Sequence, residues 1–170
     1  MNSIKIFPGW TSKSYDGLKE GRRIRLDNKD LNTTNKNFPD HVIKAGATVY
    51  QGGVNLSFGP EYVNLNLSGV YPNHTEVEVV KLFKGRFINE IDIKERRKVI
   101  VLHKKTAEIL FDKTHTDPIG QFVNAGNVVY QVVGLYNDKG DSGDSDAYLP
   151  FTTLQTIYNK GDKLNNLIMT

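Results

Sequence analysis

The feature that most constrains this sequence is the order of strand, helix and turn patterns across residues 85–153. Residues 99–102 form an apolar run that predicts a buried strand, and apolar side chains at helical spacing follow as far as Leu110-Phe111. Asp117-Pro118 then imposes a turn, because both residue types favour turn conformations. A hairpin across residues 125–127 comes next, so this half of the chain is predicted to alternate β and α.

Capping patterns predict further helices on either side of this region. Asp27 or Asn28 caps a short helix that ends before Phe38-Pro39, because the residue that precedes proline is pushed out of the α region. A later helix is predicted to run to about Tyr158. The candidates for its cap are Thr152 and Thr153.

The segment between these regions has β character. Residues 62–68 alternate apolar and polar side chains with period two, as in an antiparallel strand with one face in water. Gly52-Gly53 and Gly59-Pro60 predict turns on either side of it. Residues 1–15 are predicted to be irregular, because Pro8-Gly9 interrupts any regular element.

Composition excludes several functional classes. The chain has 170 residues, a formal net charge of +3 and no cysteine, which excludes disulfides, thiolate zinc sites and cysteine nucleophiles. The basic clusters at residues 21–25 and 94–98 are interpreted as solvated surface, since nucleic-acid binding requires a larger basic excess with interleaved aromatics. No apolar run reaches the roughly 18 residues that span a bilayer, and no signal peptide is evident.

Several side chains suit metal binding or catalysis, and each has a structural alternative that we favour. His115 and Asp117 have the spacing of two metal ligands but lie in a polar turn. Glu76 and Glu78 share one face of a predicted strand, which we interpret as its wet side. A loop that suits calcium by composition contains Asp138, Asp141, Asp144 and Asp146. Aromatic residues that would suit a glycan platform, but more often form core edges, are Trp10, Tyr50, Tyr62 and Tyr71.

The order of motifs in the second half is similar to one known family. Gly85-Arg86-Phe87 is followed by an acidic position at Asp92, and Asp117-Pro118-Ile119-Gly120 by the strand Val132-Val133-Gly134. The segment Tyr148-Leu149-Pro150-Phe151-Thr152-Thr153-Leu154 then gives a strand, a proline and a helix start. In this order the motifs resemble the extracytoplasmic core domain of MacB-type (FtsX-like) ABC-transporter permeases.

The resemblance implies an α+β fold with two lobes, one rich in βαβ elements and one mostly antiparallel β. It implies a domain at 1–170 that lies between transmembrane helices, on the periplasmic side of the cell inner membrane, and is truncated at its C-terminal end. It further implies no catalysis, no cofactor and no nucleic-acid partner. The implied partners are the rest of the permease, its cytoplasmic ATPase and a second copy, with a periplasmic adaptor or lipoprotein left open. The residues that match the family's structural turns are Gly85, Asp117, Pro118, Gly120, Gly134 and Pro150.

Two other functional classes stay open at this point. The first is a secreted or surface-anchored module that binds glycan or protein, which would carry a secretion or lipoprotein signal. The second is a small hydrolase that uses His115 or the acidic loop, which would lose activity on chelation. The permease interpretation instead requires transmembrane helices on either side of this segment in the parent chain.

Overall fold

Helices and strands are mixed along the chain, as the α+β prediction expects. The computed structural model describes residues 3–37, 44–78, 80–138 and 147–170, with Asp138 described by its backbone alone. The helices are α1 (Asn28–Asn37), α2 (His74–Val77), α3 (Glu90–Glu95), α4 (Lys104–Phe111) and α5 (Phe151–Ile157), and a 3-10 turn covers Asp112–Thr114. The strands are β1 (Ile4–Ile6), β2 (Leu26–Asp27), β3 (Ala45–Phe58), β4 (Glu61–Val70), β5 (Val80–Gly85), β6 (Val99–His103), β7 (Phe122–Ala125), β8 (Val128–Asp138), β9 (Ala147–Pro150), β10 (Lys163–Leu164) and β11 (Asn166–Met169).

Nine of the described strands form one sheet in the order β1-β11-β3-β4-β9-β6-β8-β5, and β7 pairs with both β3 and β8. The β3–β4 pair is antiparallel, whereas β4–β9 and β6–β8 are parallel. Strand β6 reaches its parallel neighbour β8 through α4 and the β7–β8 hairpin, which gives the predicted alternation of β and α. Strands β2 and β10 form a separate antiparallel pair.

Helices α4 and α5 pack on one face of this sheet and close the core. Leu110 and Phe111 of α4, with Phe151 and Leu154 of α5, are at most 1% exposed. Strand β6 is buried along its whole length. An apolar run of this kind is expected for a strand covered on both faces, so residues 99–102 were informative from sequence alone.

The opposite face of the sheet carries a row of aromatic rings. Because side chains alternate along a strand, Tyr148 and the fully buried Leu149 point to opposite faces of β9. The Tyr148 ring lies 4.8 Å from that of Tyr136 and 5.2 Å from the imidazole of His74 on α2. Burial lowers the pKa of His74 from 6.5 to about 4; the charge of Glu78 acts in the opposite direction, and that of Lys5 lowers the pKa further, both to a smaller extent. The imidazole is therefore neutral inside this row at ordinary pH.

Local signals in the sequence placed several elements correctly. The Asp27 carboxylate accepts hydrogen bonds from the backbone N–H groups of Lys29 and Asp30 at 2.7 and 3.2 Å, so Asp27 caps α1 as predicted. The turn at Gly59-Pro60 joins β3 to β4, and the β7–β8 hairpin closes where it was predicted. The predicted stop at Phe38-Pro39 lies outside the described residues.

Two predicted features were wrong because strand pairing overrides local propensity. Gly52-Gly53 is not a turn: β3 continues through it, and the ladder to β4 shifts register between Gln51 and Val54. This irregularity is a bulge, which accommodates the positive φ of 67° at Gly53. Residues 1–15 are also not wholly irregular, since Ile4–Ile6 pairs with β11.

The segment after β1 forms what we call the N-terminal hairpin, residues 9–24. Its two sides are joined by backbone hydrogen bonds from Thr11 to Arg22 at 2.9 Å and from Ile24 to Gly9 at 2.8 Å. A tight turn between Tyr15 and Leu18 closes it. No residue between 3 and 25 is buried, so this hairpin lies on the surface.

The predicted strand face with Glu76 and Glu78 was also wrong. Glu76 lies in the short helix α2, and Glu78 follows that helix and forms an ion pair with Lys5 of β1. The antiparallel part and the βαβ part of the chain are joined in one sheet by the parallel pairing of β4 with β9. The division into two lobes therefore stays a prediction.

Candidate functional site

The motif residues converge where β5 ends against β8. Gly85 has a φ of 74°, and a Cβ added there would lie 2.3 Å from the carbonyl oxygen of Val133. A Cβ at Gly134 would lie 2.0 Å from the carbonyl oxygen of Arg86. The Arg86 backbone N–H donates to the Val133 carbonyl at 2.9 Å. Only residues without a side chain allow the two backbones to approach this closely.

The turn at residues 117–120 contacts the same two strands, β5 and β8. Asp117 accepts a hydrogen bond from Lys84 Nζ at 2.7 Å and one from the backbone N–H of Ile119 at 3.1 Å. The hydrogen bond from Lys84, and to a smaller extent the one from Ile119, holds the pKa of the exposed Asp117 carboxyl below its usual range. Gly120 has a φ of 85° and donates its N–H to the carbonyl of Val132 in β8 at 2.8 Å. We call Gly85, Gly134 and this turn the glycine junction.

An ion pair joins the glycine junction to α3. Arg86 donates two hydrogen bonds to the Asp92 carboxylate, at 2.6 and 3.1 Å, and the Asp92 side chain is fully buried. Asp92 also accepts from the backbone N–H of Asn89 at 3.0 Å, and the Asn89 side chain accepts from the N–H of Asp92 at the same distance. This reciprocal capping box begins α3, so one carboxylate both starts the helix and binds the strand end.

The other end of α3 is held by α5. Thr152 donates its hydroxyl to the carbonyl of Ile93 at 2.6 Å, and Thr153 donates to that of Arg97 at 2.9 Å. The prediction that one of these threonines caps α5 was wrong: Pro150 occupies the N-cap position, and no side chain caps the helix there. The threonines instead bind the carbonyl of Ile93 in the last turn of α3 and that of Arg97, which lies two residues after the helix.

All the predicted turn residues except Pro150 therefore lie in the glycine junction, and α3 and α5 connect Pro150 to it. The sequence singled out Arg86 and Asp92 as motif positions but did not reveal that they form a pair. The spacing from Asn89 to Asp92 is that of a capping box and was available as a signal. That these turn residues are the family's structural determinants stays a prediction.

The candidates for metal binding or catalysis do not form a site within the described part of the chain. No group of three or more His, Asp or Glu side chains there is arranged to hold a metal ion. Asp117 is paired with Lys84, and His115 ends the 3-10 turn with a φ of 51°. The His103 side chain caps α4 by accepting from the Lys105 N–H. The loop residues Asp141, Asp144 and Asp146, the side chain of Asp138, and His41 lie outside the described residues.

The aromatic residues considered for a glycan platform are dispersed. Tyr50 pairs with Ser68 and Tyr62 pairs with Ser57, so the two tyrosines are separated by the six residues from Ser68 to Tyr62 along β4, about 20 Å. Tyr71 is half-buried, and its ring lies 5.1 Å from that of Phe151. A single flat aromatic surface does not form from these positions.

Comparison with known proteins connects this arrangement to a family. A family model for the MacB-like periplasmic core domain matches residues 1–170, which is the whole chain. The chain belongs to this family. Among the described residues, no helix has the length and apolar character needed to cross a membrane.

Curated relatives carry names that agree with this membership. The macrolide export ATP-binding/permease protein MacB of Rhodopseudomonas palustris (strain BisB18) is 25% identical over 172 residues, covering 99% of this chain and 25% of the relative. The protein of the same name from Neisseria meningitidis serogroup B is 28% identical over 157 residues, covering 90% and 23%. The chain thus spans about a quarter of the length of these relatives.

Solved structures show the same fold. The periplasmic region of MacB from Actinobacillus actinomycetemcomitans superposes with a TM-score of 0.80 at 23% identity, covering 99% of this chain and 74% of that one. The extracellular domain of the noncanonic ABC-type transporter YknZ from Gram-positive bacteria gives 0.75 at 22% identity, covering 99% and 83%. The family match favours the permease interpretation over a secreted binding module.

Proposed function

We propose that this chain is a non-catalytic extracytoplasmic domain that couples ATP-driven movement of a permease to substrate export or to a partner protein. The observation that carries the proposal is the family match over the whole chain. The structure supports it with a continuous set of contacts, from the glycine junction through the Arg86–Asp92 pair to α3 and on to α5. Such a set of contacts suits a body that moves as one unit.

The edge of the sheet offers a path for that movement. Strand β1 pairs antiparallel with β11, with Ile4 opposite Met169, and β11 pairs with β3. The curated relative from Rhodopseudomonas palustris is about four times as long as the matched segment. We propose that, in the parent permease, the connections to the membrane join this domain beside Ile4 and Met169, so that displacement passes from β1 and β11 into the whole sheet.

The partners in this proposal are the remainder of the permease, a cytoplasmic ATPase and a second copy of the permease, in the inner membrane with this domain in the periplasm. An adaptor or lipoprotein outside the membrane is a further partner. The topology is tested by the hydropathy of the parent gene. One apolar segment of about 20 residues before the domain and three beyond it would agree with the proposal. A soluble flanking domain in their place would contradict it.

Coupling is tested with spin labels in the intact parent permease and its ATPase. Tyr62 of β4 is 70% exposed and Lys81 of β5 is also exposed, so cysteines at these positions take labels without disturbing the core. A single label at position 62 reports the distance between the domains of two protomers. Labels at both 62 and 81, in one protomer of a mixed dimer, report the shape of one domain and serve as the control.

We expect the distance between protomers to differ between the nucleotide-free state and a vanadate-trapped state, while the distance within one domain stays constant. A distance between protomers that does not change with nucleotide would overturn the coupling proposal. A change confined to the distance within one domain would overturn movement as a single body.

A further inference from the structure

A surface cavity of about 340 Å³ lies between the N-terminal hairpin and the segment that leads into β11. Its charged lining is entirely basic. Arg23 lies at the end of the hairpin and Arg25 directly follows it, while Lys160 lies between α5 and β10 and Lys163 is the first residue of β10. The two segments are far apart in sequence, so the fold brings these cations together.

These cations lack carboxylate partners within the described residues. None of the four is in an ion pair there, although pairs such as Lys84 with Asp117 form elsewhere on the surface. Asp27 faces Lys163 across the β2–β10 ladder, but its carboxylate accepts backbone N–H bonds at the start of α1. Asp162 adjoins Lys163 in sequence, and neither carboxylate is part of the cavity lining. Like charges that line one cavity without a carboxylate in that lining are unfavourable by themselves and favour an anionic ligand.

The floor of the same cavity is apolar. Val49 and Leu164 are buried beneath it, and Ile24 and Pro8 line its sides. Asn165 is held in place, because its side-chain oxygen accepts the backbone N–H of Tyr50 at 3.0 Å. A small inorganic anion would use the rim and leave this floor uncovered.

We propose that this cavity binds a phosphate-bearing amphiphile, with the phosphate among Arg23, Arg25, Lys160 and Lys163. The adjoining hydrocarbon contacts the accessible apolar side chains of Ile24 and Pro8, above the buried Val49 and Leu164. Arginine and lysine are the side chains that bind phosphate oxygens by charge-assisted hydrogen bonds. Phosphate of this kind comes either from a membrane lipid or from free phosphate compounds. The site is independent of the coupling role proposed above.

The test is isothermal titration of the 170-residue chain with two probes, monomeric dihexanoyl phosphatidic acid and inorganic phosphate. The double variant Arg23→Gln/Lys163→Gln removes one cation from each side of the cavity. Both side chains are exposed, so the fold should tolerate the change. The matched control is Arg22→Gln, because Arg22 neighbours Arg23 in the same hairpin but is not among the residues that line the cavity.

We expect the phosphatidic acid to bind one site, with affinity at least about tenfold weaker in the double variant and unchanged in Arg22→Gln. Tighter binding of phosphatidic acid than of inorganic phosphate would assign a lipid source, whereas equal binding would overturn the proposed amphiphile, because its hydrocarbon would then contribute nothing to affinity. Absence of binding by both probes would overturn the proposal. An equal loss in Arg22→Gln would also overturn it, since diffuse surface charge would then explain binding. If the double variant does not fold, Lys160→Gln provides the same comparison.

Discussion

The N-terminal hairpin and the glycine junction are both β-structures that contain glycines, but they differ in what surrounds those glycines. A Cβ added at Gly9 or Gly21 would meet nothing within 4 Å, whereas one at Gly134 would lie 2.0 Å from the carbonyl oxygen of Arg86. In the hairpin, glycine serves local backbone conformation. In the junction, it permits the ends of two strands and the 117–120 turn to pack closely together, so the same residue type has very different consequences for stability.

The difference extends to the other side chains. No residue between 3 and 25 is buried, and Trp10 and Tyr15 are 68% and 78% exposed. Around the junction, Asp92 is fully buried and Val132 is equally inaccessible. The hairpin is held by backbone hydrogen bonds and by exposed side-chain bonds of Thr11 and Arg22, whereas the junction adds packing and a buried carboxylate. We therefore expect substitutions in the two regions to differ strongly in their effect.

The largest effect is expected from Gly134→Ala. The added methyl group collides with the backbone of Arg86, and relief requires separation of β5 from β8, which should lower the free energy of unfolding by about 4 kcal/mol. Chemical denaturation measures the change. Gly9→Ala is the matched control in the hairpin and should change stability by less than about 0.5 kcal/mol. Similar values for the two variants would remove the distinction between the regions.

Asp92→Ala is expected to have the next largest effect. It removes a fully buried carboxylate that holds both Arg86 and the start of α3, and should lower the free energy of unfolding by about 3 kcal/mol. Glu95→Ala is the control on the same helix. Glu95 forms an exposed ion pair with Arg97, so its removal should lower the free energy of unfolding by less than about 1 kcal/mol. Urea denaturation midpoints compare the two variants. Equal losses of stability would mean that the buried position of Asp92 adds nothing to its contribution.

Acid should lower the stability of the domain, because protonation of His74 favours the unfolded chain. Its folded pKa of about 4 lies below the ordinary 6.5, so between these values the unfolded chain binds more protons than the native state. Stability should fall by about 2 to 3 kcal/mol from this residue as pH decreases through that window. The dependence is measured by denaturant titrations from pH 7 to pH 4. His74→Gln should flatten it relative to wild type, and His115→Gln should not; a slope unchanged in His74→Gln would be the contrary result.

The smallest effect is expected in the hairpin itself. Trp10→Ala removes the largest side chain there, but the ring is mostly exposed, so stability should change by less than about 0.5 kcal/mol. Phe111→Ala, at the buried last position of α4, should cost about 3 kcal/mol. Thermal unfolding followed by circular dichroism compares the two. A large loss in Trp10→Ala would show that the hairpin contributes to the core.

Elements defined by local patterns could be predicted from the sequence. Strand β6, helix α4, the β7–β8 hairpin and the Asp27 cap each depend on neighbouring residues, and their order also indicated the family. Features that depend on distant partners could not be predicted. Gly52-Gly53 has the composition of a turn, and only the ladder to β4 makes it a bulge.

The threonines after Pro150 illustrate the same limit. Thr152 and Thr153 have the residue type of a helix cap, yet their hydroxyls donate to carbonyls at the end of α3, more than fifty residues away in sequence. The Arg86–Asp92 pair spans only six residues, but the order of the motifs does not specify the chain direction between β5 and α3 that brings the two side chains together. The basic cavity likewise depends on two segments that tertiary structure alone brings together.

The central claim is that the domain unfolds as one cooperative unit, whereas the N-terminal hairpin opens separately. Native-state hydrogen exchange of the 170-residue chain tests it most directly. We predict that amides of β6 and β8 exchange only by global unfolding, while those of Thr11, Gly21 and Ile24 exchange at least about 100-fold faster through local opening. Equal protection of the hairpin and these strands would contradict the claim, as would fast exchange in β8 beside the glycine junction.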